Sequence, residues 1–176
     1  MFADYSSLEL LLDLRNYTLS KSAREEILGK LTKLSVTKPL KTKELKIAED
    51  EVTSLAIVFD ESEQLYLGSR GDQEYFPLLK DECILPILPL ITVDSGAVKF
   101  VCNGANIMRP GITKIDGEFL KSSLVLVKEE KYGKAIAVGK SLVSSDEMRV
   151  AKKGSVIENL HYVGDKYWDM LKQINI

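Results

Sequence analysis

The sequence predicts an α+β protein in two parts: a small α+β domain at residues 1–85, then a compact, partly closed β-barrel with short helices at residues 86–176. In the first part, segments with helical and strand-like apolar spacing alternate. In the second, short strand-like runs are separated by tight turns, as in small barrels. An apolar segment with two prolines, residues 83–90, lies between them and predicts a stiff, extended connector packed between the halves.

Two capping-box patterns in the first part, at residues 6–9 and 22–25, each precede an apolar run and predict the start of a helix. After the second pattern, apolar residues continue at helical spacing from Ile27 to Leu34, which favours a helix over this stretch. The acidic turn at residues 60–63 predicts a hairpin. The expected strands are residues 14–19, 45–48, 55–59 and 64–67.

In the second part, Asp94 predicts the N-cap of a helix over residues 95–103, and Gly104 predicts its end. Residues 144–147 form a further capping box and predict a short helix that ends near Gly154. The expected strands are residues 124–128, 135–143 and 156–162, with a hairpin turn at Tyr132-Gly133 and a helix at the C-terminus.

Charge is unevenly distributed along the chain. Residues 1–85 contain 11 Lys and Arg against 16 Asp and Glu, and residues 86–176 contain 13 against 10, so the net charges are −5 and +3. The second part is therefore the better candidate for contact with a polyanion. Hydrophobic residues make up 45% of the chain and charged residues 28%, which is typical of a folded protein.

The sequence lacks the features that define several classes of protein. Cys83, Cys102 and His161 are too few and too widely spaced for a structural zinc site, so neither a metal nor another cofactor is expected. The absence of a nucleophile motif, a Walker loop and a dinucleotide-binding glycine pattern predicts that the protein is not an enzyme. The longest apolar stretch, residues 83–91, is too short to cross a bilayer, and the start at Met1 lacks the features of a signal peptide. A cytoplasmic location without membrane contact is therefore expected.

Residues 93–112 contain a recognisable motif, with the core Gly104-Ala105-x-x-Met108-x-Pro110-Gly111-Ile112. Together with residues 137–139 and 153–162, this segment resembles a PUA domain, the module named after pseudouridine synthases and archaeosine transglycosylases. The tail Gly164-Asp165-x-x-Trp168 narrows the resemblance to the malignant T-cell-amplified sequence family, whose members place a small domain before a PUA domain. The resemblance implies a PUA-type pseudo-β-barrel with short helices at residues 86–176, after a pre-PUA-like domain.

The resemblance also implies a function, namely RNA binding linked to translation. The partner would be a structured RNA, either tRNA or small-subunit rRNA, together with a translation-factor partner such as density-regulated protein. Two alternatives stay open. One is a protein-interaction adaptor whose PUA fold no longer binds RNA, which the acidic first part and the modest charge of the second favour. The other is an accessory subunit that presents RNA to a separate RNA-modifying enzyme.

In PUA domains, RNA lies between the first helix and the closing strands. By that resemblance the expected RNA-binding residues are Gly96, Lys99, Gly104, Ala105, Asn106, Met108 and Arg109, and Lys152 and Lys153 add positive charge. A physical reading agrees, because glycines permit close approach of a backbone and the helix start offers N–H groups to phosphate, although the Asp94 side chain competes for them.

Each of these residues also has a purely structural interpretation. Gly104 and Gly111 suit a helix end and a turn, and Met108 suits a core position. Lys99 suits a solvated helix face, and Arg109 an ion pair with a nearby carboxylate. His161, within an apolar strand pattern, suits a hydrogen-bonded structural histidine.

Overall fold

A five-stranded antiparallel sheet with sequential strand order forms the first part of the protein in the computed structural model, which describes residues 14–32, 42–60, 62, 64–70 and 74–174. Its strands are β1 (Leu14–Thr18), β2 (Lys46–Asp50), β3 (Leu55–Asp60), β4 (Leu65–Arg70) and β5 (Tyr75–Pro77), with helix α1 (Lys21–Thr32) between β1 and β2. The four expected strands and the β3–β4 hairpin are confirmed, whereas β5 was not predicted. The capping box at residues 6–9 lies outside the described residues.

The start of α1 differs from the prediction. The helix begins at Lys21, and the hydroxyl of Ser20, not of Ser22, accepts a hydrogen bond of 3.2 Å from the N–H of Ala23. The end of β1 explains this, because the N–H of Leu19 still bonds to the carbonyl oxygen of Leu45 at 2.8 Å. Ser20 is therefore the first residue free to leave the extended conformation and to cap the helix.

The two faces of this sheet bury different neighbours, as the alternation of side chains along strands requires. Ile47 and Val58 point to the side of α1, where they pack with Ile27. Ala48, Ile57 and Phe59 point to the opposite side and pack against the second part of the chain. The sheet is therefore the middle layer of the molecule.

The connector is a tight turn and not the extended segment that its prolines predict. Residues 85–87 form a 3₁₀ turn with Pro86 in the first turn, where a missing N–H costs nothing. The buried carboxylate of Asp81 accepts hydrogen bonds from the N–H groups of Tyr66 (2.9 Å) and Ile84 (2.5 Å). This carboxylate fixes the connector against β4. The expectation that the connector packs between the halves is confirmed by Leu85, which is buried with residues of the barrel.

The second part is a six-stranded sheet that curls into a partly closed barrel, in the order β7-β11-β10-β9-β6-β8. Neighbouring strands are antiparallel except β6 and β9, which are parallel. The strands are β6 (Leu90–Val93), β7 (Ile107–Met108), β8 (Ile112–Asp116), β9 (Leu124–Glu129), β10 (Ala135–Ser141) and β11 (Ser155–Tyr162), and the helices are α2 (Ser95–Val101), α3 (Ser145–Val150) and α4 (Lys166–Gln173). The strands β6, β7 and β8 were not predicted.

Helix caps in the barrel follow the sequence. The carboxylate of Asp94 accepts a hydrogen bond of 2.8 Å from the N–H of Ala97, and Ser144 and Glu147 form the reciprocal capping box of α3. The helix α2 ends at Val101 and is shorter than predicted. Within the described residues, no helix has the length and apolar character needed to span a bilayer.

Candidate nucleic-acid interface

A groove of about 760 Å³ opens on the barrel between α2 and the segment that follows it. One wall is α2, and the other is the stretch from Ala105 through β7 to Gly111. Ser155, the first residue of β11, also lines the groove. The lining residues are Asp94, Gly96, Ala97, Phe100, Val101, Ala105, Asn106, Ile107, Met108, Pro110, Gly111 and Ser155.

Two large apolar side chains stand exposed at the groove. Phe100 is 65% exposed and Met108 is 50% exposed, although both lie in well-formed secondary structure. Exposed apolar side chains gathered at a concave site indicate binding more often than isolated ones do. A flat aromatic ring beside a flexible thioether forms a surface suited to the face of a nucleobase.

The start of α2 does not offer its N–H groups to phosphate as the sequence suggested. The N–H of Ala97 donates to Asp94 Oδ1, and the N–H of Ser95 donates to Glu130 Oε1 at 3.3 Å. Two carboxylates therefore occupy this helix end, and they make it a poor site for an anion.

The turn between α2 and β7 is fixed from below by Asn159. The Asn159 side-chain amide donates to the carbonyl oxygens of Val101 (2.9 Å) and Ala105 (3.1 Å). The Asn159 backbone N–H donates to Asn106 Oδ1 at 3.1 Å. Asn159 is buried, so these hydrogen bonds form away from water, and the turn that lines the groove is held in one shape.

Two glycines shape the groove through their backbones. Gly104 has φ of +83°, and a Cβ atom at this position would lie 3.0 Å from the ring of Tyr162. A Cβ atom on Gly111 would lie 2.9 Å from Cβ of Ala97. The absence of a side chain at Gly111 therefore lets the two walls of the groove come into close contact at this point. The structural interpretation of both glycines is therefore supported.

Arg109 is directed into the protein and not into the groove. Its Nε donates to the carbonyl oxygen of Met148 at 2.6 Å, and its Nη1 donates to that of Ile112 at 3.0 Å. The partners are carbonyl groups, so the alternative interpretation of Arg109 as the partner of a carboxylate is not supported. The guanidinium lies near the C-terminal end of α3, where a cation is favourable.

Three lysines lie beside the groove without lining it. Lys99 is exposed on α2, and Lys152 and Lys153 are exposed in the loop that leads to Ser155. The loop is joined to the opposite wall, because the N–H of Arg109 donates to the carbonyl oxygen of Gly154 at 2.9 Å. The groove therefore has positive charge at both sides and an apolar floor.

The structure thus divides the nine residues that the sequence singled out. Those that line the groove are Gly96, Ala105, Asn106 and Met108, and those that border or support it are Lys99, Gly104, Arg109, Lys152 and Lys153. The other eight lining residues, among them Phe100, Pro110 and Ser155, were missed. Phe100 follows Gly96 by four residues and so shares its helix face, but this spacing does not distinguish an exposed aromatic residue from a core residue.

His161 lies away from the groove. Its side chain is buried, and Nδ1 lies 2.8 Å from Oδ2 of Asp165, whose Oδ1 accepts from the N–H of Trp168 at the start of α4. The structural interpretation of His161 is supported by this geometry. Within the described parts of the chain, no group of three His, Cys, Asp or Glu residues is placed to hold a metal ion.

Comparison with known proteins agrees with the fold. Residues 89–163 match the family model of the PUA domain. An uncharacterized protein from Methanocaldococcus jannaschii is 42% identical over 106 residues, which are 58% of this chain and 64% of that protein. Translation machinery-associated protein 20 from Eremothecium gossypii is 34% identical over 124 residues, 61% and 68% of the two chains. Malignant T-cell-amplified sequence 1-A from Xenopus laevis is 40% identical over 111 residues, 61% of each chain.

Solved structures extend the likeness to both parts of the chain. A hypothetical protein from Pyrococcus horikoshii is 30% identical with a TM-score of 0.70, and the match covers 89% of this chain and 99% of that one. A PUA-domain protein from Aeropyrum pernix, 23% identical, has the same fold with a TM-score of 0.74 over 90% and 91% of the chains. The matches to the three curated relatives span about two thirds of their lengths. The chain belongs to the family of PUA-domain proteins that includes translation machinery-associated protein 20 and the malignant T-cell-amplified sequence proteins.

Proposed function

We propose that this protein binds a structured RNA in the groove beside α2 and acts in translation, in contact with tRNA or the small ribosomal subunit. The observation on which the proposal rests is the groove itself, where the exposed Phe100 and Met108 meet an apolar floor with lysines at both sides. The names of the related proteins support a role in translation. On this view residues 86–176 recognise RNA, and residues 1–85 form a separate domain packed against them.

The groove suits an unpaired base better than a duplex. The groove is bounded by one short helix, α2, and one short strand, β7. Its apolar lining would shelter the face of a base stacked on Phe100. Ala105 and Asn106 line the wall opposite α2, because Gly104 allows the turn that brings them there. Lys99, Lys152 and Lys153 would bind the phosphates on either side, which gives affinity without sequence preference.

The described residues suit binding and not catalysis. The site has no pair of titratable groups arranged as acid and base, since Asp94 is engaged in capping α2. The related proteins are named as translation-associated and not as enzymes. We therefore propose a cytoplasmic binding factor that works without a cofactor.

The test is a titration of the purified protein with total tRNA, small ribosomal subunits and an unstructured RNA across a salt series. We expect tight binding to tRNA or to subunits, with the logarithm of the affinity falling linearly as the logarithm of the salt concentration rises. Failure to bind any of the three RNAs at low salt would contradict the proposal and would favour the adaptor alternative.

A further inference from the structure

The hairpin between β9 and β10 presents an aromatic ring and two lysines to solvent. Tyr132 is 70% exposed at the tip, and Lys131 and Lys134 are exposed beside it. The Nζ atom of Lys131 lies 5.0 Å from the centre of the Tyr132 ring. Interleaved cationic and aromatic side chains form the kind of surface that binds single-stranded nucleic acid.

Of the two acidic residues of the hairpin, Glu129 is buried and turned into the hairpin, whereas Glu130 is exposed at its base. The carboxylate of Glu129 accepts hydrogen bonds from the N–H groups of Lys131 (2.7 Å), Tyr132 (2.7 Å) and Lys134 (3.1 Å). Burial raises the pKa of Glu129, but these N–H groups outweigh burial and lower it, so the carboxylate is ionised at neutral pH. The three hydrogen bonds fix the shape of the tip and direct the positive side chains outward.

The hairpin is also joined to the helix that forms one wall of the groove. Glu130 accepts a hydrogen bond from the N–H of Ser95 at 3.3 Å, and its own N–H donates to the carbonyl oxygen of Val93 at 3.0 Å. Ser95 and Lys99 lie one helical turn apart and share a face of α2, next to the face of Phe100 that lines the groove. The positive charge of Lys99 therefore lies on the side of α2 that leads to the hairpin.

We propose that the tip of this hairpin, residues 131–134, is a second RNA-contact surface, which binds the backbone of a strand whose base occupies the groove. The proposal rests on the RNA-binding function proposed above. RNA leaving the groove over α2 would pass Lys99 and then reach Lys131 and Lys134, with Tyr132 stacked on a neighbouring base. RNA is favoured over a protein partner because the tip carries two exposed cations and one exposed ring, and the carboxylate of Glu129 is engaged by backbone N–H groups. The exposed Glu130 lies at the base of the hairpin beside Ser95 and not at the tip.

RNA length provides the test. Single-stranded RNAs of roughly 4 and roughly 16 nucleotides, the limits of the site sizes of small barrel domains, would be titrated by fluorescence anisotropy across a salt series. The variants are K131A/K134A, Y132A and a control, K21A/K43A, which removes two exposed lysines from the first part of the chain. Thermal unfolding of each variant would verify that the fold is retained.

We expect K131A/K134A to weaken binding of the long RNA. The slope of the logarithm of its affinity against the logarithm of the salt concentration should become less steep by about 1.4, the change for two lost phosphate contacts on a single strand. We expect Y132A to weaken binding of the long RNA at least about fivefold. Binding of the short RNA should be unchanged in both, as should binding of either RNA to the control.

Two results would overturn the proposal. If wild-type protein binds both RNAs and the hairpin variants match the control, the hairpin does not contact RNA, while the groove proposal stands. If wild-type protein binds neither single-stranded RNA at low salt, the hairpin proposal fails, and the proposed function is then decided by the titration with tRNA and small ribosomal subunits.

Discussion

The hydroxyl of Tyr167 in α4 donates a hydrogen bond of 2.8 Å to the carbonyl oxygen of Ser69 in β4, 98 residues earlier in the chain. The same ring packs edge-on against Phe76 and against His161, with ring centres 5.5 and 6.0 Å apart. The C-terminal helix thus links the barrel to the first sheet through one buried aromatic residue. The two parts of the protein share this core and are expected to unfold together.

Removing the hydroxyl or the ring of Tyr167 should therefore destabilise both parts of the protein. We expect Y167F to lower the free energy of unfolding by about 0.5–1.5 kcal/mol, the usual value of one hydrogen bond. Y167A should lower it by about 3–5 kcal/mol, because it leaves a large cavity between the two parts. Urea unfolding followed by both tryptophan fluorescence and far-ultraviolet circular dichroism should give one coincident transition. Separate transitions for the two probes in the wild-type protein would contradict the shared core.

Asn159 should affect the groove without contacting RNA. We expect N159D to lower the free energy of unfolding by at least about 2 kcal/mol, because a carboxylate would face the carbonyl oxygens of Val101 and Ala105 in place of an amide donor. RNA affinity should fall as well, since the turn that lines the groove loses its support. N106A, which removes the amide whose Oδ1 accepts from the N–H of Asn159, should have a smaller effect on stability because it breaks one hydrogen bond in place of two. Equal stability of N159D and wild type would contradict this role.

Any side chain at Gly104 is predicted to lower the stability of the protein. G104A should lower the free energy of unfolding by about 1–3 kcal/mol from the strained backbone, with a further loss from contact with Tyr162. The matched control is G164A, because Gly164 has a similar φ of +93° and no atom within 4 Å of the added Cβ. The difference between the two variants measures the contact alone. Thermal or urea unfolding would provide both values, and an equal loss in both would contradict the contact.

Asp81 should make stability depend on pH in the direction opposite to most carboxylates. Burial raises its pKa from 3.8 to about 6, so the folded protein binds a proton more tightly than the unfolded chain does. This group's contribution is therefore greatest below pH 3.8 and falls by about 3 kcal/mol as the pH rises through 6.

The D81N variant isolates this effect, because the amide does not titrate. D81N should be less stable than wild type at pH 4, since an amide has one acceptor oxygen for two N–H donors. The difference in the free energy of unfolding should narrow by up to about 3 kcal/mol by pH 7, because only the wild-type protein loses stability as Asp81 ionises. The control D146N makes the same substitution at an exposed carboxylate. A deficit for D81N that does not change with pH would contradict the assignment.

Local signals in the sequence predicted most of the fold. The capping residues Asp94, Ser144 and Glu147 act as expected, and the long strands β9, β10 and β11 were found from their apolar runs. The short strands β6, β7 and β8 were not found, because their pairing depends on distant partners, such as the parallel pairing of β6 with β9. The connector was wrongly predicted as extended because its turn is fixed by Asp81, a contact that its prolines do not reveal.

The candidate site was predicted less completely than the fold. The motif identified Gly96, Ala105, Asn106 and Met108, which line the groove. It could not show that Arg109 would bond to carbonyl groups of α3 and β8, since those partners are set by tertiary packing. Phe100 was missed because an apolar residue on a short helix is ordinarily part of the core, and only the structure shows it exposed.

The most direct test of the central claim is the RNA affinity of F100A compared with that of L120A, which removes an exposed apolar side chain elsewhere on the barrel. With tRNA or a single-stranded RNA that the wild-type protein binds, we expect F100A to lower the affinity about fivefold to a hundredfold, the loss for one stacked base. L120A should bind as wild type does, and both variants should unfold at the wild-type temperature because both side chains are exposed. Equal RNA affinity for F100A, L120A and wild type would show that RNA does not bind in this groove.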